Sequence, residues 1–196
     1  MEPTGSAGEG LKEAPAEKVS NEAPARPARA VRRWLLDLSA GVFVTMFTIL
    51  FVYQPVKVEG SSMQPGLADQ ERIFINKLVY RLESVQRGDI VVFRYPRDPD
   101  KSFIKRVIGI PGDRVRVTDG RVFLNGELLD EPYVPDDYLD SRSYRETIVP
   151  DGTYFVLGDH RSMSNDSRDF GPVPRTNIYG KAVFGYWPAD KVGVLR

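Results

Sequence analysis

The sequence predicts a mainly β protein, a coiled and folded, barrel-like β-sheet preceded by one membrane-spanning helix. Two observations support this fold class. A run of 20 mostly apolar residues extends from Trp34 to Tyr53. After it, short apolar runs alternate with Gly, Pro, Asp and Asn turn signals, which is typical of many short strands, and Asp119-Gly120 and Asn125-Gly126 predict hairpin turns. Helical periodicity is nearly absent there, and only residues 78–85 predict a short helix.

The apolar run has the length of a membrane span. A helix of 20 residues extends about 30 Å, the hydrocarbon thickness of a bilayer. Asp37 is its one charged residue, and the aromatic residues Trp34 and Tyr53 stand at its ends. A removable signal peptide and a buried soluble helix are the alternatives. The run is longer than the roughly 7–15 apolar residues of a signal peptide and lies far from the N-terminus, which favours a permanent span.

The residues before the span predict its orientation. Four arginines lie within residues 26–33, and basic flanks usually stay in the cytoplasm. The preceding stretch is rich in Ala, Pro, Gly and Glu and has too few large apolar side chains to form a core. The protein is therefore expected to be a single-pass protein of the cell membrane. Its expected parts are a disordered cytoplasmic tail over 1–33, a transmembrane helix over 34–53 and an extracytoplasmic domain over 54–196.

Composition argues against two classes of function. Lys+Arg and Asp+Glu both number 27, so the chain lacks the basic excess of a nucleic-acid-binding protein. With no Cys and one histidine, His160, it cannot supply the ligands of a typical structural zinc site. Aspartate pairs at 98/100 and 136/137 could suggest calcium, but such pairs more commonly cap turns. We expect no metal site.

Ser62 lies in the segment VEGSSMQPGL, shortly after the span. It comes nine positions after Tyr53, and a fully extended chain of that length reaches only about 30 Å. Ser62 is therefore expected close to the membrane surface. A serine among small residues is commonly just a loop residue, so this position alone does not predict catalysis.

Lys105 lies in SFIKRVIGIPGD, which has the period-two pattern of a strand. One face carries Phe103, Lys105 and Val107 and the other carries Arg106, so either face would bury a basic side chain. Burial disfavours the ammonium and lowers the pKa of a lysine. A neutral lysine amine can act as general base toward a serine hydroxyl. The alternative is an edge strand whose basic side chains extend into water.

Four stretches in this order resemble the bacterial type I signal peptidases, serine proteases with a Ser/Lys dyad. SSMQP is similar to the nucleophile motif of that family, and RGDIVVF is similar to one of its strands. KRVIGIPGD resembles the motif that bears the general base. GDHRSMSNDSR, which alone could be a solvated polar loop, resembles the last motif of the family. The resemblance covers residues 34–187.

This resemblance implies a role for each matching residue. Ser62 would attack the scissile carbonyl, and neutral Lys105 would accept its proton and return one to the leaving amine. Ser164 would orient the lysine amine by a hydrogen bond. The Ser62 N–H would contribute to the oxyanion hole. Many members use a serine hydroxyl two residues earlier, where this chain has Gly60, so a backbone N–H would have to replace that donor.

The resemblance further implies the surroundings of the site and its substrates. Asp166 and Arg168 would form a supporting ion pair, with Asp159 assisting. The substrates would be signal peptides of exported preproteins, cut after small residues in an Ala-x-Ala pattern beside the membrane lipid. No organic cofactor and no nucleic acid are implied. The candidates for shallow apolar substrate pockets are Val58, Met63, Leu67, Phe103 and Ile104.

Three departures from the family pattern leave alternatives open. His160 stands where Asn is usual, which permits a Ser-His interpretation, although Lys105 in its proper motif favours Ser-Lys. Gly66 replaces the usual Thr. The short span of about 114–153 implies a reduced second β subdomain. Two other functions are a self-cleaving relative of the repressor type and a membrane-anchored binding protein that has lost catalysis.

Overall fold

The structure is a computed structural model that describes residues 27–195, with side chains from residue 30 onward. Residues 1–26, which make up most of the predicted disordered tail, lie outside the described residues. Of the described residues, those from 43 to 195 belong to one compact unit and those from 27 to 42 belong to another. Both sheets and the candidate site lie in the unit that begins at residue 43.

Helix α1 comprises Pro27–Val52, so it begins seven residues before the predicted start of the span. Proline suits a first helical position because it lacks only an N–H that would have no partner there. Within the 23 residues from Ala30 to Val52, the most apolar window of 18 residues has a mean hydropathy of 2.1, so this helix is long and apolar enough to cross a membrane. Large apolar side chains such as Phe43 and Leu50 are 70% and 61% exposed. A helix that is apolar all round and not covered by protein fits a membrane anchor.

Twelve strands lie in the described part of the chain. They are β1 Tyr53–Lys57, β2 Arg72–Asn76, β3 Ile90–Tyr95, β4 Asp98–Gly109, β5 Arg114–Thr118, β6 Arg121–Leu124, β7 Glu127–Leu128, β8 Tyr144–Ile148, β9 Thr153–Leu157, β10 Val173–Pro174, β11 Ile178–Trp187 and β12 Gly193–Val194. The mainly β fold predicted from the sequence is confirmed. Strands β1, β2, β8, β10 and β12 were not among the sequence predictions.

Eight strands form a large antiparallel sheet in the order β1-β2-β11-β3-β4-β9-β10, with β12 paired to β11. Register shifts in β4 and β11 bend the sheet, as β-bulges do. Val91 and Phe93 of β3 pack in one apolar cluster, whereas Ile90 and Val92 pack in another. The central strands are therefore buried on both faces. This property decides the surroundings of the basic residues on β4.

A smaller sheet has the strand order β7-β6-β5-β8. The predicted hairpin turns are present, since Asp119, Gly120, Asn125 and Gly126 all have positive φ angles. An apolar cluster containing Val115 of β5 joins this sheet to Ile108, Phe155 and Leu157 of the large sheet. The small sheet lies within the range of about 114–153 that we expected to form a second subdomain.

Short helices connect the strands. The α-helical turns are α2 Val79–Leu82 and α3 Ser167–Phe170. The 3₁₀ turns are Asp136–Tyr138, Arg161–Met163, Arg175–Asn177 and Ala189–Lys191. Helix α2 lies inside the one stretch for which the sequence predicted a short helix.

Candidate active site

The loop between β1 and β2, residues 58–71, carries Ser62. Its two ends are tied together, because the Val58 N–H donates to the Glu71 carbonyl at 2.8 Å and the Gln70 N–H donates to the Val58 carbonyl at 2.9 Å. The loop is thus closed by backbone hydrogen bonds at its base. Ser62 is consequently held close to the edge of the large sheet.

Two apolar side chains anchor this loop from inside. Met63 and Leu67 are 1% and 0% exposed and pack in the same cluster as Ile73 and Ile75 of β2. We expected both to line a substrate pocket, but they belong to the core and do not line the cleft beside Ser62. Their burial fixes the backbone that carries Ser62, which immediately precedes Met63.

Lys105 of β4 meets Ser62 directly. Its Nζ lies 2.7 Å from the Oγ of Ser62 and 3.0 Å from the carbonyl oxygen of Ile104. The side chain is 4% exposed, and the ring centroid of Phe103 lies 5.5 Å from its Nζ. Within residues 30–195, no carboxylate forms a salt bridge with Lys105. A buried amine without an anionic partner is poorly stabilised as an ammonium.

The electrostatics of Lys105 follow from this burial. Loss of hydration lowers the pKa of Lys105 to about 8, although the charges of Asp166 and Asp159 act in the opposite direction. A substantial fraction of the side chain is therefore neutral near pH 8. A neutral amine at hydrogen-bonding distance from a hydroxyl can accept its proton.

Ser164 and the backbone of Ser62 both lie against Gly158. An added Cβ at Gly158 would come within 2.5 Å of the Ser62 carbonyl oxygen and would collide with the Oγ of Ser164. Glycine at this position therefore permits the close approach of the two segments. The Ser164 hydroxyl is buried and has no hydrogen-bond partner among the described residues, so the expected bond to Lys105 is not formed here.

Two buried ion pairs support the segment after β9. Arg168 Nε lies 2.9 Å from Asp166 Oδ1, and Arg106 Nη2 lies 2.7 Å from Asp159 Oδ2. Burial alone would raise the pKa of Asp166, but the hydrogen bonds and charge of Arg168, with a smaller contribution from the neighbouring Ser164 hydroxyl, lower it below its ordinary value. A Cβ at Gly66 would lie only 3.3 Å from Asp159 Oδ2, so the Ser62 loop passes close to the second pair.

Two further arginines, Arg161 and Arg142, connect this segment to the smaller sheet. Arg161 is 0% exposed; its guanidinium binds Glu131 at 2.5 Å and the Gly120 carbonyl at 2.7 Å. Arg142 donates to the carbonyls of Arg161 and Ser164 at 2.7 and 2.8 Å. The density of polar residues in 157–171 was the available signal, but their partners lie some 20–40 residues away and depend on the folded topology.

His160 contacts Ser62 through its backbone. Its N–H donates to the Ser62 carbonyl at 3.1 Å, while its ring stacks on Tyr138 with centroids 4.0 Å apart. The Nδ1 atom of His160 is buried and has no hydrogen-bond partner among the described residues. The Ser62 hydroxyl is bonded to Lys105, so the geometry favours the Ser-Lys pair over the Ser-His alternative.

A cleft of about 460 Å³ opens over Ser62 and Lys105. Three of the five expected pocket residues, Val58, Phe103 and Ile104, line it. Other apolar lining residues are Val56, Val92, Met163 and Tyr179. The apolar walls suit small apolar side chains of a substrate.

The two expected oxyanion-hole groups differ in their hydrogen bonding. The Gly60 N–H donates to Asp69 Oδ1 at 2.8 Å, and this bond lowers the pKa of the Asp69 carboxyl. The Ser62 N–H has no acceptor among the residues that the structure describes. Of the two donors, only that of Ser62 is free to meet a substrate oxygen. Within residues 27–195, no cluster of three potential metal ligands is present.

Comparison with known proteins identifies the family. A family model described as "Signal peptidase, peptidase S26" matches residues 31–187. The chain belongs to this family. It is therefore a peptide-bond hydrolase of the serine type, and signal peptides of preproteins are the substrate class of the family.

Curated relatives match most of the chain. "Probable signal peptidase I-2" of Synechocystis sp. is 44% identical over 153 residues, covering 74% of this chain and 68% of that protein. "Signal peptidase IB" of Staphylococcus aureus (strain COL) is 32% identical over 176 residues, covering 82% and 91%. A crystal structure of a signal peptidase I from Enterococcus faecalis V583 has a TM-score of 0.43 and 33% identity, covering 50% of this chain and 97% of that one.

Proposed function

We propose that this enzyme cleaves signal peptides after Ala-x-Ala type sites, with Ser62 as nucleophile and Lys105 as general base. The observation that carries the proposal is the 2.7 Å approach of Lys105 Nζ to Ser62 Oγ in a buried, apolar setting. Burial lowers the pKa of Lys105 to about 8, so the amine can be neutral at a moderate pH. A neutral amine can accept the serine proton as the hydroxyl attacks.

The proposed reaction has two stages. Ser62 Oγ attacks the scissile carbonyl while Lys105 takes the hydroxyl proton, and the Ser62 N–H stabilises the oxyanion. Lys105 then protonates the leaving amine, which departs and leaves an acyl-enzyme. In the second stage Lys105 takes a proton from water as the water attacks the ester carbonyl. The bond to Ser62 Oγ then breaks, and Lys105 returns the proton to this oxygen, which regenerates the Ser62 hydroxyl and the neutral amine. Ser164, whose buried hydroxyl has no partner among the described residues, is proposed to hold the lysine amine during these transfers.

The proposed topology follows from the basic residues before the span. Four arginines at 26–33 favour a cytoplasmic N-terminus, with residues 54–196 outside the cytoplasm. Ser62 lies only nine positions after Tyr53, so the cleft is tethered near the point where a signal peptide leaves the bilayer. The apolar walls formed by Val58, Phe103 and Ile104 support a preference for small apolar residues before the cut.

The test is cleavage of a labelled preprotein by the full chain in detergent. We expect the wild type to cut after an Ala-x-Ala site and Ser62→Ala to lose cleavage while unfolding at the same temperature. The matched control is Ser61→Ala, which removes the neighbouring hydroxyl and should leave cleavage largely intact. Residual cleavage by Ser62→Ala would refute the assignment of the nucleophile. No cleavage by any of the three proteins would support the non-catalytic alternative.

A further inference from the structure

A second cavity adjoins the cleft and differs from it in charge. It has a volume of about 880 Å³ and shares Ser102 and Tyr179 with the cleft. Its lining contains a single carboxylate, that of Asp100. Four cationic side chains line the same cavity: Lys77, Arg81, Arg94 and Arg175. We call this cavity, with its four cations, the basic pocket.

The cations of the basic pocket are not neutralised within the protein. None of the four takes part in a salt bridge in the described part of the chain. The Arg175 guanidinium donates to the carbonyls of Tyr80 and Ile178, which leaves its charge uncompensated. Like charges that face one cavity repel each other and attract an anion. Arg81 and Arg94 are exposed, and an arginine guanidinium can bind a phosphate through two parallel hydrogen bonds.

The basic pocket lies beside the end of the candidate membrane span. The Lys77 N–H donates to the carbonyl of Val52, the last residue of α1, at 3.1 Å. Gln54, another lining residue, follows Val52 by two positions. The end of a spanning helix lies at the level of the lipid headgroups. The uncompensated cations are thus within reach of the phosphates of the bilayer.

We propose that the basic pocket binds the phosphate of an anionic phospholipid headgroup. A bound headgroup would hold the cleft in a fixed place relative to the membrane surface, because the two cavities share lining residues. The proposal depends on α1 as a membrane anchor, which is part of the proposed function, but not on the chemistry of Ser62 and Lys105. An acidic residue of the preprotein is the competing occupant. Position favours the lipid, since headgroups surround the end of a membrane span at high local concentration.

The experiment measures lipid retention by the full chain in a nonionic detergent. Native mass spectrometry counts dioleoyl-phosphatidylglycerol, with dioleoyl-phosphatidylcholine as the zwitterionic probe. We expect one phosphatidylglycerol per chain and much weaker retention of phosphatidylcholine. Arg81→Gln with Arg94→Gln should weaken phosphatidylglycerol binding at least about tenfold, since each cation near anionic lipid contributes appreciably. The matched control neutralises two other exposed arginines without ion pairs among the described residues, Arg72→Gln with Arg145→Gln, and should bind like the wild type.

Each other outcome contradicts the proposal in a distinct way. Undiminished binding by the Arg81/Arg94 variant would place the lipid elsewhere, and equal loss in both double variants would indicate only a general charge effect. Displacement of the lipid by inorganic phosphate would identify free phosphate as the ligand. If the Arg81/Arg94 variant bound lipid like the wild type but had a raised KM for a preprotein with an acidic residue before its cleavage site, the basic pocket would be a peptide site. Lipid retention does not require peptidase activity, so failure of the proposed function would not alter this readout.

Discussion

Lys105 and Arg106 are neighbours on β4, and both are buried, but their surroundings differ. Lys105 meets the Ser62 hydroxyl, the Ile104 carbonyl and the ring of Phe103, and it has no salt bridge among the described residues. Arg106 makes two hydrogen bonds to Asp159, at 2.9 and 2.7 Å. One strand therefore buries two basic groups on its two faces, only one of which has a counter-charge.

The presence or absence of a counter-charge gives Lys105 and Arg106 different protonation behaviour. Burial lowers the pKa of Lys105 to about 8. Burial alone would also lower the pKa of Arg106, but the hydrogen bonds and charge of Asp159 raise it. The guanidinium of Arg106 thus stays charged over the whole working range, whereas the amine of Lys105 can exchange a proton. A buried basic side chain can become neutral, and so accept a proton, more readily where no carboxylate forms a salt bridge with it.

The largest expected effect comes from removing the unpaired amine. Lys105→Met keeps the length of the side chain and lacks the amine, so we expect cleavage to fall by at least about a thousandfold, as loss of a general base predicts. The melting temperature should not fall, because no carboxylate loses a partner. The measurement is the cleavage rate of a labelled preprotein together with thermal unfolding.

Lys105→Arg provides the control for charge. A guanidinium remains protonated at any working pH, so this variant should also be inactive although it retains the positive charge. Cleavage by Lys105→Arg at near wild-type rates would contradict the requirement for a neutral amine. Activity of both variants would remove Lys105 from the mechanism altogether.

The second effect concerns the buried ion pair between Arg106 of β4 and Asp159. Arg106→Met leaves the carboxylate of Asp159 buried without its partner, which should cost about 3–5 kcal/mol of unfolding free energy. The measurement is urea-induced unfolding of the full chain in detergent. Adding Asp159→Asn removes the orphaned charge and should recover part of the loss. If Arg106→Met were as stable as the wild type, the pair would not be an important support of the fold.

The third effect is the pH dependence of cleavage. The rate should rise about tenfold per pH unit below the pKa of Lys105, about 8, and level off above it, because the neutral amine is the proposed general base. A profile that still rises at pH 10 would indicate a solvated Lys105. The assay is kcat/KM for one preprotein at constant ionic strength.

The same titration should be visible in stability. Below about pH 8 the folded and unfolded states both carry the ammonium, so the full cost of burying its charge is present. As pH rises from about 8 toward the pKa of a solvated lysine, about 10.4, the folded state alone has lost its proton. The unfolding free energy of the wild type relative to Lys105→Met should therefore rise over that window. A constant difference would contradict the lowered pKa.

Local signals predicted a large part of the fold. Asp-Gly and Asn-Gly at 119–120 and 125–126 require positive φ angles, and both turns join strands as expected. Strand β1 was missed because it is half exposed and contains Pro55, which weakens the strand pattern. Its partner β2 is only five residues long, so its pairing depends on contacts distant in sequence.

The sequence predicted the site residues that lie within recognisable motifs, but it did not predict which residues from separate segments would pair with each other. Motif resemblance brought attention to Ser62 and Lys105, and these two side chains are in contact. The partner of Asp159 was missed, because the period-two argument assumed that only one face of β4 is buried. β4 lies between β3 and β9 with both faces covered, so Arg106 is as inaccessible as Lys105.

The smallest effect is expected at Ser164, which lies near the backbone of Ser62, because both residues lie against Gly158. Its hydroxyl is buried and makes no hydrogen bond of normal geometry among the described residues, so Ser164→Ala should change the unfolding free energy by no more than about 1 kcal/mol. If this hydroxyl holds the amine of Lys105 during proton transfer, the loss of one hydrogen bond of about 1 kcal/mol should lower kcat roughly fivefold. KM should stay unchanged, because Ser164 does not line the cleft. Ser164→Thr keeps a hydroxyl and should recover activity if the added methyl group fits beside Gly158. An unchanged kcat in Ser164→Ala would mean that Lys105 is held by packing and by the Ile104 carbonyl alone.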